Sequence, residues 1–332
     1  MKAQLLSRQA PIATRPLTLA EVPDPVPGPR DVVVRVAACG VCRTDLHVVE
    51  GDLAPRRLPL IPGHQVVGRV EDTGRDASRF APGDRVGIAW LRATCGTCDF
   101  CRSGRENLCE SSHYTGWDAD GGYAERAIVD EAFAYAIPDE IGDLSAAPLL
   151  CAGIIGYRAL ARSQVAPGAR LGLYGFGSSA HLVAQLARHR GCDVYVVTRD
   201  ASHRALAEEL GAVWTGGPYD TPPVPLDGAI VFAPVGDVVP PALAALGAGG
   251  TVAVAGIHLS DIPPMSYDAC LFREKSLTSV TSNTRRDGEV LLAEAKASRL
   301  APRVTTFALA DANDALAAVA GDRVAGTAVL IP

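Results

Sequence analysis

Between Cys39 and His64 the chain gathers a thiol, a hydroxyl and two imidazoles: Cys42, Thr44, His47 and His64. Thiolate and imidazole are zinc donors, and a catalytic zinc takes three protein ligands while keeping a fourth position open. Cys42 and His64 are therefore read as two ligands of a catalytic metal, with Cys151 as the candidate third from farther along the chain. Thr44 and His47 are expected to move a proton away from that metal, as a hydroxyl and an imidazole can near neutral pH. Taken alone, Cys42 also reads as a packed thiol and His64 as a turn residue. The polar pair beside Cys42 favours the metal.

A second group lies at Cys95, Cys98, Cys101 and Cys109. Short intervals let one lobe, about 92–112, wrap a tetrahedral ion, which predicts structural zinc. An iron–sulfur cluster is the rival. The bacterial ferredoxin run places three residues before its last cysteine and a proline after it. Here seven residues intervene and Glu110 follows, so zinc is expected.

The third signal is Gly175-Phe176-Gly177-Ser178-Ser179-Ala180, between a short apolar strand and a helix. Glycines permit a tight turn and close approach, and amides at a helix start receive a pyrophosphate. Gly175, Gly177, Ser178, Ser179 and Ala180 are thus the expected dinucleotide contacts. An acidic residue commonly binds the adenosine ribose at the end of the next strand. Thr198 stands there, followed by Arg199 and Asp200. A hydroxyl beside a guanidinium suits a 2′-phosphate, so NADP is favoured and NAD remains possible through Asp200.

These groups need a frame. The first 140 residues read as short β-strands (31–37 and 65–71 among them, with a turn feeding another strand over 81–88) punctuated by Pro and Gly, which predicts a small barrel or sandwich. A helix is expected over 144–162. Strands at 170–174, 193–199, 228–233, 250–257 and 276–281 then alternate with helices at 181–190 and 202–210, which predicts an α/β unit with a parallel sheet. The tail reads as helices over 289–298 and 312–320 and a last strand at 326–331.

The 332 residues carry a net charge of -6, which lacks the basic footprint of a nucleic-acid binder. The N-terminus has no signal-peptide core. No run of about 18 apolar residues is evident, and the richest stretch, 146–157, contains Pro148, Gly153 and Gly156. A cytoplasmic protein with no membrane partner is expected. In that reducing compartment nine cysteines point to metal ligands or free thiols, not disulfides.

The motifs together resemble the zinc-dependent medium-chain alcohol dehydrogenases over nearly the whole chain. The resemblance rests on Gly40-Val41-Cys42-x-Thr44-Asp45-x-His47, Pro62-Gly63-His64-x-Val66-x-Gly68, the four-cysteine lobe, Gly121-Gly122-Tyr123-Ala124-Glu125, Cys151 and the glycine turn. It implies a GroES-like β-rich catalytic domain from 1–151 and 281–332, and a Rossmann domain over 152–280. It also implies two Zn²⁺ per chain, one held by Cys42, His64 and Cys151 and one by the four-cysteine lobe. Thr44 and His47 would form a proton relay through the nicotinamide ribose. The implied reaction is reversible hydride transfer between a primary or secondary alcohol and NAD(P), giving aldehyde or ketone, in a homodimer or homotetramer. A polyol dehydrogenase of the same superfamily and a non-catalytic dinucleotide-binding zinc protein are the alternatives. One departure stands out: the family usually has glutamate after the zinc histidine, and this chain has Gln65.

Overall fold

The computed structural model describes every residue except Pro55, Ile257, His258 and Ala325, so the expected end of the 250–257 strand falls at a position outside the described residues. The chain divides into two compact units. One comprises Met1–Cys151, Ser282–Lys296 and Ala301–Pro332, the other Ala152–Thr281 and Ala297–Leu300.

The first unit is built on a seven-stranded sheet. Its order is Val304–Ala308, Thr327–Ile331, Asp31–Val41, Gln65–Thr73, Arg85–Ile88 and Ala134–Ala136, with Arg126–Asp130 also paired to Asp31–Val41. All pairings are antiparallel except that of the two C-terminal strands. The strand Asp31–Val41 is the hub because its valines are buried on both faces: Val32, Val33, Val34 and Val36 are all inside. β-Branched side chains suit such a pleated, packed surface. Leu6, Val66, Ile88, Val129, Leu316 and Leu330 complete the core around it.

The second unit is a six-stranded parallel sheet in the order Trp214–Gly216, Asp193–Val197, Arg170–Tyr174, Leu226–Val231, Leu246–Val254 and Ser276–Ser279. Numbered along the chain this is 3-2-1-4-5-6, the doubly wound Rossmann order, whose reversal point opens the crevice where dinucleotides bind. Its central strands are apolar throughout, with Leu171, Leu173, Val194 and Val196 fully buried, as covered parallel strands require.

Three local features add detail to the sequence reading, and the helix expected over 144–162 is present. The stretch after Cys42 is helical, Arg43–Glu50; its valines favour strand, but the cap described below starts a helix. The glycine turn is shorter than its six-residue motif, because the helix already begins at Ser178. The run at 144–162 is one helical path, with an α-turn Asp143–Pro148, a π-turn Leu149–Gly153 and a further α-helix Ile154–Arg162. Pro148, Gly153 and Gly156 therefore do not interrupt it. At 20 residues, Asp143–Arg162 is the one described helix with the length and apolarity of a membrane span, and 61% of its apolar window is buried inside the protein. That burial is what a core helix shows.

Candidate active site and metal centres

Cys42 ends the strand Asp31–Val41 and caps the helix Arg43–Glu50. Its Sγ accepts from the Thr44 backbone N–H at 3.3 Å, and Asp45 Oδ2 accepts from the Cys42 N–H at 3.0 Å. This reciprocal arrangement is a capping box with a thiol in the usual serine position. Asp45 also reaches across to the second ligand, because its Oδ1 accepts from His64 Nδ1 at 2.7 Å. Asp45 and His64 are both buried. The bond fixes the imidazole so that Nε2 faces Cys42 Sγ, 3.5 Å away. A carboxylate behind a metal histidine sets its tautomer and raises its basicity.

Cys151 enters from the π-turn Leu149–Gly153, a distortion that frequently marks functional positions in helices. The ligand atoms of Cys42, His64 and Cys151 all lie within 4.8 Å of one another. Zinc–sulfur and zinc–nitrogen bonds of about 2.3 and 2.0 Å in a tetrahedron need edges of just under 4 Å, so the donor set fits. Before a metal binds, the Cys151 thiol donates to Cys42, which drives the Cys42 pKa well down and that of Cys151 well up. Burial disfavours an imidazolium at His64, but Asp45 and Cys42 outweigh it and raise the pKa to about 10. A metal entering this set displaces protons from His64 and Cys151.

Thr44 and His47 sit one turn apart on the same helix, which places them on one face. Thr44 is buried and its side chain hydrogen-bonds Cys42, favouring the thiolate. His47 Nδ1 lies 2.6 Å from Asp52 Oδ2 and donates to it.

Cys95, Cys98, Cys101 and Cys109 form a second cluster with all four sulfurs within 4.8 Å. Backbone N–H groups of Thr97 and Cys98 point at Cys95 and pull its pKa down to about 6; these amides favour the thiolate a metal requires. The lobe is tied to the C-terminal part of its unit by Glu106. That carboxylate accepts from the Arg285 backbone N–H at 2.8 Å and from its guanidinium at 2.6 and 3.0 Å.

In the second unit Gly175 takes φ +89° and its N–H donates to Val197 O at 2.8 Å. The left-handed backbone there is accessible to glycine at little cost. Gly177 offers no side chain to cap the helix Ser178–His189, so Ser178, Ser179 and Ala180 form its first turn. Thr198 and Arg199 follow the neighbouring strand Asp193–Val197. Asp200 is committed elsewhere: its Oδ1 accepts from Ser202 N and Ser202 Oγ, both at 2.7 Å, and caps the helix Ala201–Glu209.

The comparisons with known proteins show the family of this chain. Residues 28–139 match the alcohol dehydrogenase GroES-like domain, and residues 180–297 the zinc-binding dehydrogenase family. The chain is 52% identical to the Mycobacterium tuberculosis (strain CDC 1551 / Oshkosh) protein named "Probable alcohol dehydrogenase AdhA", over 100% of this chain and 97% of the relative. The chain belongs to the zinc-dependent medium-chain alcohol dehydrogenase family. It is similar in structure to a cinnamyl alcohol dehydrogenase of Sorghum bicolor, with TM-score 0.90, 27% identity, and coverage of 99% of this chain and 97% of the other. It is likewise similar to the cobalt- and zinc-bound thermostable alcohol dehydrogenase of Pyrobaculum aerophilum, with TM-score 0.90, 25% identity, and coverage of 100% and 99%. As a member of this family it is an oxidoreductase, an alcohol dehydrogenase working with zinc and a nicotinamide cofactor.

Two features of this dehydrogenase had no role in the sequence reading. Asp45 stands three residues after Cys42, the capping-box position, and that spacing was the available signal. Asp52 folds back on His47 only because the helix ends at Gly51. Trp90 and Trp117 flank the zinc segments in sequence as possible pocket aromatics, and the fold brings them together with Tyr114. Trp90 stands edge-on to His64, with centroids 5.0 Å apart at 74°, and stacks on Tyr114 at 4.9 Å. Trp117 lies parallel to Trp90 at 5.9 Å, with the Arg56 guanidinium 4.3 Å above it. Arg56 is held by the Asp118 carboxylate at 2.8 Å.

Proposed function

We propose that this alcohol dehydrogenase prefers NADP(H), interconverts primary alcohols bearing a flat apolar tail with their aldehydes, and uses Cys42, His64 and Cys151 as its catalytic zinc ligands. The observation that carries this reading is the convergence of two sulfurs and one imidazole nitrogen, with Asp45 bonded to the histidine from behind. Zinc bound there supplies Lewis-acid polarisation of the alcohol or carbonyl oxygen, and the nicotinamide exchanges the hydride. Thr44 receives the hydroxyl proton beside Cys42. His47, oriented by Asp52, hands it on to solvent. Cys95, Cys98, Cys101 and Cys109 hold a second zinc, a closed four-thiolate site that stiffens the lobe.

The cofactor preference follows from charge. Thr198 cannot repel a 2′-phosphate, Arg199 can pair with one, and Asp200 is occupied as a helix cap. Gly175, Gly177, Ser178, Ser179 and Ala180 receive the pyrophosphate. The preference for flat tails follows from Trp90, Tyr114 and Trp117, whose parallel rings lead away from His64 and offer faces that a polyol would not use. The dehydrogenase works as a homodimer or homotetramer, and its six ligand thiols suit a reducing cytoplasm.

Steady-state assays of NAD and NADP against benzyl alcohol, ethanol and a polyol test the reading. NADP with benzyl alcohol should give the highest kcat/KM; a preference for the polyol would overturn the substrate assignment. Cys42→Ser should abolish turnover while the four-cysteine zinc stays bound, and full activity in that variant would refute the metal assignment.

A further inference from the structure

The run Asp120-Gly121-Gly122-Tyr123 lies against the turn Ile61-Pro62-Gly63 that presents His64, and bonds to every residue of it. Gly121 N–H donates to Ile61 O at 2.7 Å, Tyr123 N–H to Pro62 O at 3.0 Å and Gly122 N–H to Gly63 O at 2.9 Å. Asp120 Oδ1 accepts from the Ile61 N–H at 3.0 Å. The turn and His64 are all buried, so its carbonyls depend on these donors for their hydrogen bonds.

The approach is closer than any side chain permits. A Cβ on Gly121 would lie 1.9 Å from Gly63 O and 2.7 Å from Pro62 O, and one on Gly116 would lie 2.8 Å from Gly63 N. Gly63 is thus bracketed at both of its peptide groups. Its own φ is +97°, and the Tyr123 ring fills the place where its Cβ would stand. The residue after this turn is a ligand. His64 Nε2 is 3.5 Å from Cys42 Sγ, close to the edge of a zinc tetrahedron, and such a constellation works only when its donors are held to within about 0.5 Å.

We infer that Asp120 and Gly121 are positioning residues of the catalytic metal centre, which set where the turn 61–63 delivers His64. This rests on the reading of Cys42, His64 and Cys151 as zinc ligands. Asp45 fixes how the imidazole is oriented; the run 120–123 fixes where the main chain carrying it stands. A Cβ at position 121 must push Gly63 O away by about 1 Å to reach ordinary contact. That displacement exceeds what the donor set tolerates.

The test counts zinc per chain in full-length protein titrated with a chelator. Gly121→Ala should hold the three-ligand zinc about 10- to 100-fold more weakly and leave the four-cysteine zinc as in the wild type. The comparator is Gly74→Ala, whose Cβ would meet Gly28 O at the same 1.9 Å, in the same unit but away from any ligand's turn. It should lower the melting temperature and release both zinc ions as the wild type does. Equal weakening of the three-ligand zinc in the two variants would overturn the inference, and so would wild-type zinc retention in folded Gly121→Ala. Should Gly121→Ala fail to fold, Asp120→Ala decides. It removes one hydrogen bond to the turn and an exposed ion pair to Arg57, and introduces no clash. The same zinc should then be held about threefold to tenfold more weakly, and wild-type retention would overturn the inference. A wild-type protein that binds zinc only at the four cysteines would instead overturn the metal-site reading, and this inference with it.

Discussion

Replacing Arg199 by alanine isolates the charge that distinguishes NADP from NAD. Thr198, the residue before it, is anchored by its N–H to Gly216 O at 2.9 Å, and Arg204 holds the carbonyls of Thr198 and Arg199 at 2.8 and 3.1 Å. These bonds to the backbone of the turn do not involve the Arg199 side chain, and Arg199→Ala keeps all of them. A charge-assisted bond to phosphate is worth about 1.5–3 kcal/mol. Loss of one such bond corresponds to a fall of roughly 10- to 150-fold in kcat/KM for NADP. NAD, with no 2′-phosphate, should change by less than about twofold on the same reasoning. Two accompanying signs follow. Added salt should narrow the wild-type preference, because a surface phosphate pair is screened. Raising the pH through about 6 should widen it, since a phosphate monoester completes its ionisation there. Initial rates with both cofactors at saturating benzyl alcohol, at two salt concentrations, decide the matter. If NADP and NAD lose activity equally, the arginine supports the fold of the turn and does not read the phosphate.

Asp45→Asn must oppose an amide N–H to either His64 Nδ1–H or the Cys42 N–H. The catalytic zinc should then be held about 10- to 100-fold more weakly; zinc counted per chain during chelator dialysis should show one ion leaving early and the four-cysteine ion unaffected, and parallel loss curves would refute this. Burial works to raise the Glu106 pKa, but the bonds from Arg285 win and lower it. Its stabilising contribution is accordingly full above the unfolded carboxylate value of about 4.3 and is lost as pH falls through the lowered folded pKa. Glu106→Gln should cost about 1.5–3 kcal/mol in urea unfolding at pH 7, with the gap to wild type closing in acid; a pH-independent gap would count against the ion pair. Trp90→Ala removes the ring beside His64 and should raise kcat/KM for branched secondary alcohols relative to benzyl alcohol by about tenfold or more. An unchanged ratio would show that Trp90 does not border the substrate.

Features set by short-range chemistry were legible in the chain. Cys95, Cys98, Cys101 and Cys109 lie close enough in sequence that one lobe brings their sulfurs together. The glycine turn needed only its neighbouring strand and helix to be recognisable. The apolar runs at Arg170–Tyr174 and Asp193–Val197 could be buried on both faces only in a covered sheet. Element ends were less legible. Propensity at Val48 and Val49 argues for strand, yet the bonds between Cys42 and Asp45 start a helix there, a side-chain effect that periodicity does not register.

The sequence by itself determined which donors exist: thiols, imidazoles and hydroxyls in one N-terminal stretch, a cysteine lobe, and a phosphate-binding turn followed by an arginine. Those are properties of residue type and near spacing. Only the tertiary structure decided which groups meet. Cys151 joins Cys42 and His64 because a π-turn presents it to them. Asp45 serves two ligands because its helix start lies against His64. Trp90, Tyr114 and Trp117 stack because the hairpin of Leu91–Ala93 and His113–Tyr114 closes. Gln65 lies over Gly40 because the strands Asp31–Val41 and Gln65–Thr73 pair in that register. Each of these contacts depends on burial and on pairing between distant segments, and neither is encoded in any local run of residues.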